Sequence, residues 1–323
     1  MTPSLTPRGV AALDEWMTHC VEEGLVPGLV TLVTTPDRVV YHEAAGLADV
    51  ARRRAMPRDA IVRIASMTKP LTSAAFMTLV ETGRVGLDDE VARYLPRHGG
   101  RRVLTRVDQA GGTFDTAPCS HPMTVRHVLT HTSGIGATWS DHGLALVERS
   151  TPGLDEDDLP LVHEPGARWT YGTGTKVLGD IAEVVTGLPI EAFLARTILE
   201  PVGMTETGFE VPEPLHRRVA TLHQRIDDRR CETPNAAVLA HDRRGDGRLF
   251  STADDYGRFL RMILNEGRVG SVRVLAPASL VDWAMDELEA ARRLYPDGAD
   301  GRRPDPAAQP ALPFAGRTLS SSS

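Results

Sequence analysis

Arg63-Ile64-Ala65-Ser66-Met67-Thr68-Lys69-Pro70 places a serine and a lysine three residues apart, at the head of an apolar stretch with helical rhythm that runs to Thr82 and stops at Gly83. The spacing has a chemical consequence. Serine is a weak nucleophile until a base removes its proton, and residues three apart on a helix share one face. The positive end of a helix also favours an alkoxide at Ser66 and an oxyanion beside it. Lys69 could then act as the base. Taken alone, S-x-x-K also describes a capped helix carrying a surface lysine.

On the N-terminal side, Pro7 and the amphipathic stretch Val10 to Glu23, closed by Gly24, predict a first helix. Val30 to Thr34 and Val39 to His42 are β-branched and aromatic runs separated by Pro36-Asp37, which predicts an antiparallel hairpin. On the C-terminal side, helical patterns run over Thr124 to His131, Thr175 to Thr186 and Ile190 to Leu199. Ser251 is placed to cap a further helix ending at Asn265, and a last helix fits Pro277 to about Ala290. Beyond it, the Pro-, Gly-, Arg- and Ser-rich residues 291–323 read as a low-complexity, disordered tail.

The 323 residues carry 36 Lys+Arg against 43 Asp+Glu, a formal charge of -7, so no overall positive field is present to hold nucleic acid or an anionic membrane surface. No apolar run reaches transmembrane length and the N-terminus lacks a signal-peptide core, which leads us to expect a soluble, cytoplasmic protein. Cys20, Cys119 and Cys231 stand far apart without C-x-x-C spacing, as expected of free, buried thiols.

The octapeptide at Ser66 is followed by Leu79-Val80-Glu81-Thr82-Gly83 and Val85-Gly86-Leu87-Asp88-Asp89. Further on come Val128 to Gly134, Trp169-Thr170-Tyr171-Gly172-Thr173, Val184 to Gly187, Leu199 to Thr207 and Gly247 to Thr252. In that order these segments resemble the serine β-lactamase-related hydrolases, which include class C β-lactamases, D-alanyl-D-alanine carboxypeptidases, family VIII esterases and related acyltransferases. The resemblance implies an α+β fold with an antiparallel sheet flanked by helices and a mostly helical subdomain over about residues 87–199, all within a catalytic domain of residues 1–290. It implies Ser66 as nucleophile, Lys69 as base and Tyr171, at the first position of the family's Y-x-N element, as a phenol sharing protons with them. Thr173 stands where many members carry the asparagine that holds a substrate amide. An ester or small acyl thioester is therefore expected in preference to a β-lactam or a D-alanyl peptide. No metal or organic cofactor is implied, and the expected partner is a small acyl substrate.

The family's K-T-G, H-T-G or W-G-G strand is not found, and the low-complexity tail stands in its place. We therefore expect a truncated or frame-shifted member, with a hairpin edge left open to self-association. The rival expectation is a variant whose strand comes from a partner chain or from Leu312 to Arg317. Loss of one oxyanion donor costs about 10²–10³ in rate, so the alternative to an esterase-like hydrolase is a non-catalytic or incomplete homologue. His127 and His131 have metal-ligand spacing, but Val128 stands where H-E-x-x-H requires glutamate. Gly172 to Lys176 lacks the order of a P-loop, and Arg52-Arg53-Arg54 and Asp155 to Asp158 read as solvated loops.

Overall fold

The computed structural model describes residues 4–226, 229–233 and 245–280. The described residues divide into two compact units, one of residues 4–78 with the described part of 188–280, the other of residues 79–187.

In the first unit, helix α1 (Pro7–Glu22) begins where the sequence places it, with Pro7 at its start and Thr6 Oγ1 accepting from the Gly9 amide at 3.1 Å. Strands β1 (Gly28–Thr34) and β2 (Val39–Asp49) form the predicted antiparallel hairpin, and the short β3 (Arg54–Ala55) adds to β2, giving the order β1-β2-β3. Tyr41 of β2 donates its hydroxyl to Asp14 of α1 at 2.6 Å, which fixes the helix to the sheet. Burial and the adjacent carboxylate push that phenol up to about 12. The helix Ala253–Leu264 packs on β1, burying Phe259 and Met262. A Cβ at Gly257 would lie 2.9 Å from a Leu32 methyl, so the absence of a side chain there permits the close approach.

A second antiparallel ladder joins β4 (Val62–Arg63) to Phe250–Ser251. Behind it Ile61, Val211, Val219 and Phe250 form a buried cluster. This ladder corrects the expected cap. Thr252, not Ser251, accepts from the Asp255 amide at 3.2 Å, while Ser251 lies in the strand and shares its hydroxyl with Thr207 at 2.8 Å. The thiols are also corrected: all three are free, but only Cys20 is buried, and Cys231 is exposed. Of the last predicted helix, residues 277–280 are helical. Its remainder, the tail, and the place of the missing strand lie outside the described residues.

The second unit holds the helices Val125–Leu129, His142–Ser150 and Thr175–Thr186. It also holds a hairpin, Arg102–Asp108 with Thr113–Pro118, that apolar periodicity does not reveal because only Val103 of its strands is buried. Lys176 lies 2.8 Å from both Asp157 and Asp180, an ion-pair cluster that Arg97 joins. Beside it His98 is 4% exposed and neither ring nitrogen has a hydrogen-bond partner. Burial, reinforced by Arg101 and Arg97, pulls its pKa from 6.5 down to about 4. The folded chain thus holds the imidazole neutral where the unfolded chain would protonate it. This contribution to stability is complete above pH 6.5 and is lost as pH falls toward 4. The melting temperature of the wild type should fall across that window. His98→Leu should flatten the fall, and an unchanged slope in the variant would remove His98 as its source.

Candidate active site

The sequence pattern starts a helix at Ser66, but the α-helix begins two residues later, at Thr68. Ser66 lies in a 3-10 turn, Ala65–Met67, ahead of helix α2 (Thr68–Glu81), and Ala65 before it has φ 45. A left-handed non-glycine residue costs of order 1–3 kcal/mol, and such positions cluster at functional sites. The turn leaves Ser66 exposed while Lys69, in the first turn of α2, is 8% exposed. The Lys69 amine donates to Ser66 Oγ at 3.3 Å and to the Asp246 carbonyl at 2.8 Å.

The segment around Asp246 anchors this arrangement at several points. Thr72 Oγ1, fully buried, donates to the Gly245 carbonyl at 2.6 Å, and the Leu249 amide donates to Thr68 Oγ1 at 3.4 Å. The Ile64 amide donates to the Leu249 carbonyl at 2.9 Å, continuing the ladder between β4 and Phe250–Ser251. Arg248 within this segment has φ 84, a second strained residue beside the serine turn. The Tyr256 hydroxyl closes the exposed side by donating to the Met67 carbonyl at 3.1 Å. Sequence reasoning assigned no role to Asp246, Thr72 or Tyr256. The anchor for Lys69 is a main-chain carbonyl, and a carbonyl leaves no trace in residue identity.

Tyr171 and Thr173 belong to the second unit, on the loop that leads into the helix Thr175–Thr186. That loop lies against the segment following Val125–Leu129: the Thr170 amide donates to the His131 carbonyl at 2.7 Å, and Thr170 Oγ1 meets His163 Nε2 at 2.9 Å. A Cβ on Gly172 would lie 2.3 Å from the Ile135 carbonyl oxygen, so main chain rests directly on main chain. The Tyr171 ring stacks on Trp169 at 6.0 Å and 29° and tilts against His131 at 5.1 Å. His131 is buried with φ 56, and His127 uses Nδ1 to accept from the Thr124 amide at 3.2 Å in a helix cap. Each of the two histidines is thus engaged locally. Lys176, at the end of the glycine-rich run, is held by Asp157 and Asp180.

The Beta-lactamase family profile matches residues 13–311, and the chain belongs to that family. An uncharacterized protein of Mycobacterium tuberculosis is 37% identical over 282 residues, 83% of this chain and 69% of the relative. Esterase EstB of Burkholderia gladioli is 32% identical over 227 residues, 65% of this chain and 54% of the esterase. Among solved structures, unliganded simvastatin synthase LovD of Aspergillus terreus superposes with a TM-score of 0.74 at 25% identity, covering 84% of this chain and 71% of that one. The chain is thus related to serine hydrolases, esterases and acyltransferases, in an α+β fold with an antiparallel sheet flanked by helices. Among the described residues no helix is long and apolar enough to cross a membrane.

Thr72→Val tests the anchor. It removes the donor and leaves a buried carbonyl unpaired, at a cost of about 1–3 kcal/mol that urea unfolding would read. A variant as stable as wild type would show that the Gly245 contact does not hold this segment.

Proposed function

We propose that this chain is a serine hydrolase that works through an acyl-enzyme at Ser66 and acts on esters of small acyl groups. The observation that supports the reading best is the 3.3 Å contact between an exposed serine hydroxyl and a buried amine whose position is fixed by the Asp246 carbonyl. In the acylation step Lys69 acts as the base and takes the Ser66 proton as the bond from Oγ to the acyl carbon forms. The carbonyl electrons move onto oxygen, where the Ser66 amide serves as an oxyanion donor. Collapse expels the alkoxide, which takes a proton from the Lys69 ammonium. Water or an alcohol then accepts the acyl group by the reverse sequence, so hydrolysis and acyl transfer differ only in the acceptor.

Tyr171 is assigned the proton-sharing phenol and Thr173 the substrate-facing position. Thr173 has no amide with which to hold a substrate amide group, which favours esters over β-lactams. The relatives named as an esterase and as a simvastatin synthase lend general support to acyl chemistry.

Intact mass spectrometry after incubation with short p-nitrophenyl esters, and separately with a cephalosporin, tests the assignment. An acyl increment from the esters, absent in Ser66→Ala, is the expected result. A folded protein that acquires no increment would instead be a non-catalytic homologue. Labelling by the cephalosporin alone would overturn the ester preference.

A further inference from the structure

Tyr171 is one of four neighbouring rings, and only one of the four stands out into solvent. Trp139 is 56% exposed and meets the Tyr171 ring edge to face at 6.3 Å. Trp169 and Tyr171 are half-buried and His131 is buried, with Trp169 meeting His131 edge to face at 5.8 Å. The loop carrying Trp139 is not free to swing. Gly136 lies under Gly172, Ala137 is buried, and the amides of Ser140 and Asp141 both donate to the Ala137 carbonyl, at 3.1 and 2.9 Å. An indole held on so short a tether loses little conformational freedom when it binds a ligand, and its exposed face is apolar.

We propose that Trp139 determines specificity by stacking on a planar apolar group of the ester. The inference rests on the proton-sharing role proposed for Tyr171, whose ring the exposed indole packs against edge to face. The preferred substrates are therefore aryl-bearing esters, with the aryl group on either the acyl or the alcohol side. An aromatic contact of this kind corresponds to about a three- to tenfold preference.

The test compares ethyl acetate, ethyl phenylacetate and benzyl acetate by pH-stat in wild type, Trp139→Ala and Trp139→Phe. The expected result is that Trp139→Ala lowers the kcat/KM ratio of one aryl ester to ethyl acetate about three- to tenfold, through KM, and that Trp139→Phe restores most of it. The ester that responds identifies the side that stacks. A ratio unchanged in both variants, with turnover still dependent on Ser66, would overturn the role of Trp139 and leave the acyl-enzyme reading intact. Binding without turnover is read from the quenching of tryptophan fluorescence by 4-nitrobenzyl alcohol in a Ser66→Ala background. Saturable quenching that Trp139→Ala abolishes would keep the aromatic site even if the acyl-enzyme reading failed. Where no Ser66-dependent turnover is found, absence of saturable quenching would overturn the proposal.

Discussion

The hydrogen bond from Lys69 to the Asp246 carbonyl is the contact on which the placement of Lys69 beside Ser66 depends. It joins residues 177 positions apart and holds a long, flexible amine in a buried place where it meets Ser66. A lysine side chain loses much rotamer freedom on being fixed, and a buried amine needs acceptors. Both requirements are met by one short segment. That segment is held in turn by Thr72 and Thr68 of α2 and by the ladder between β4 and Phe250–Ser251. The β-structure thus acts on Lys69 indirectly, by fixing the stretch of main chain that fixes the amine.

Tyr171 is placed by a different device. Its loop and the segment after Val125–Leu129 touch backbone to backbone at Gly172, and the rings of Trp169 and His131 pack around the phenol. Both regions contain left-handed non-glycine residues, Ala65 before the serine and His131 within the aromatic group. Strain of that kind persists only where the surroundings over-determine the backbone. Here the over-determination is visible, in the amide of Ile64 bonded to Leu249 on one side and that of Thr170 bonded to His131 on the other.

Much of this was legible from residue order. The α1 helix, the β1-β2 hairpin and the helix Thr175–Thr186 follow from apolar rhythm and turn residues, because each buries one clear face. The Arg102–Pro118 hairpin was not, since its strands are rich in arginine, threonine and aspartate and bury one residue. Ser66 stands out in the sequence as the nucleophile candidate, yet its 3-10 turn does not, because sequence period does not separate 3-10 from α-helix over so short a span. Ser251 and Thr252 are both good caps in composition, and only the ladder with β4 decides between them. Trp139 leaves no signal in the sequence, because a single exposed aromatic has no pattern; only the fold brings it to the Tyr171 ring.

The measurement that bears most directly on the central claim is the single-turnover rate of Ser66 acylation by a p-nitrophenyl ester, compared between wild type and Lys69→Met of unchanged circular dichroism. If the amine held at 3.3 Å is the base, acylation in the variant falls by about 10²–10⁴ while the protein stays folded. A folded Lys69→Met protein that acylates Ser66 at the wild-type rate would contradict the account.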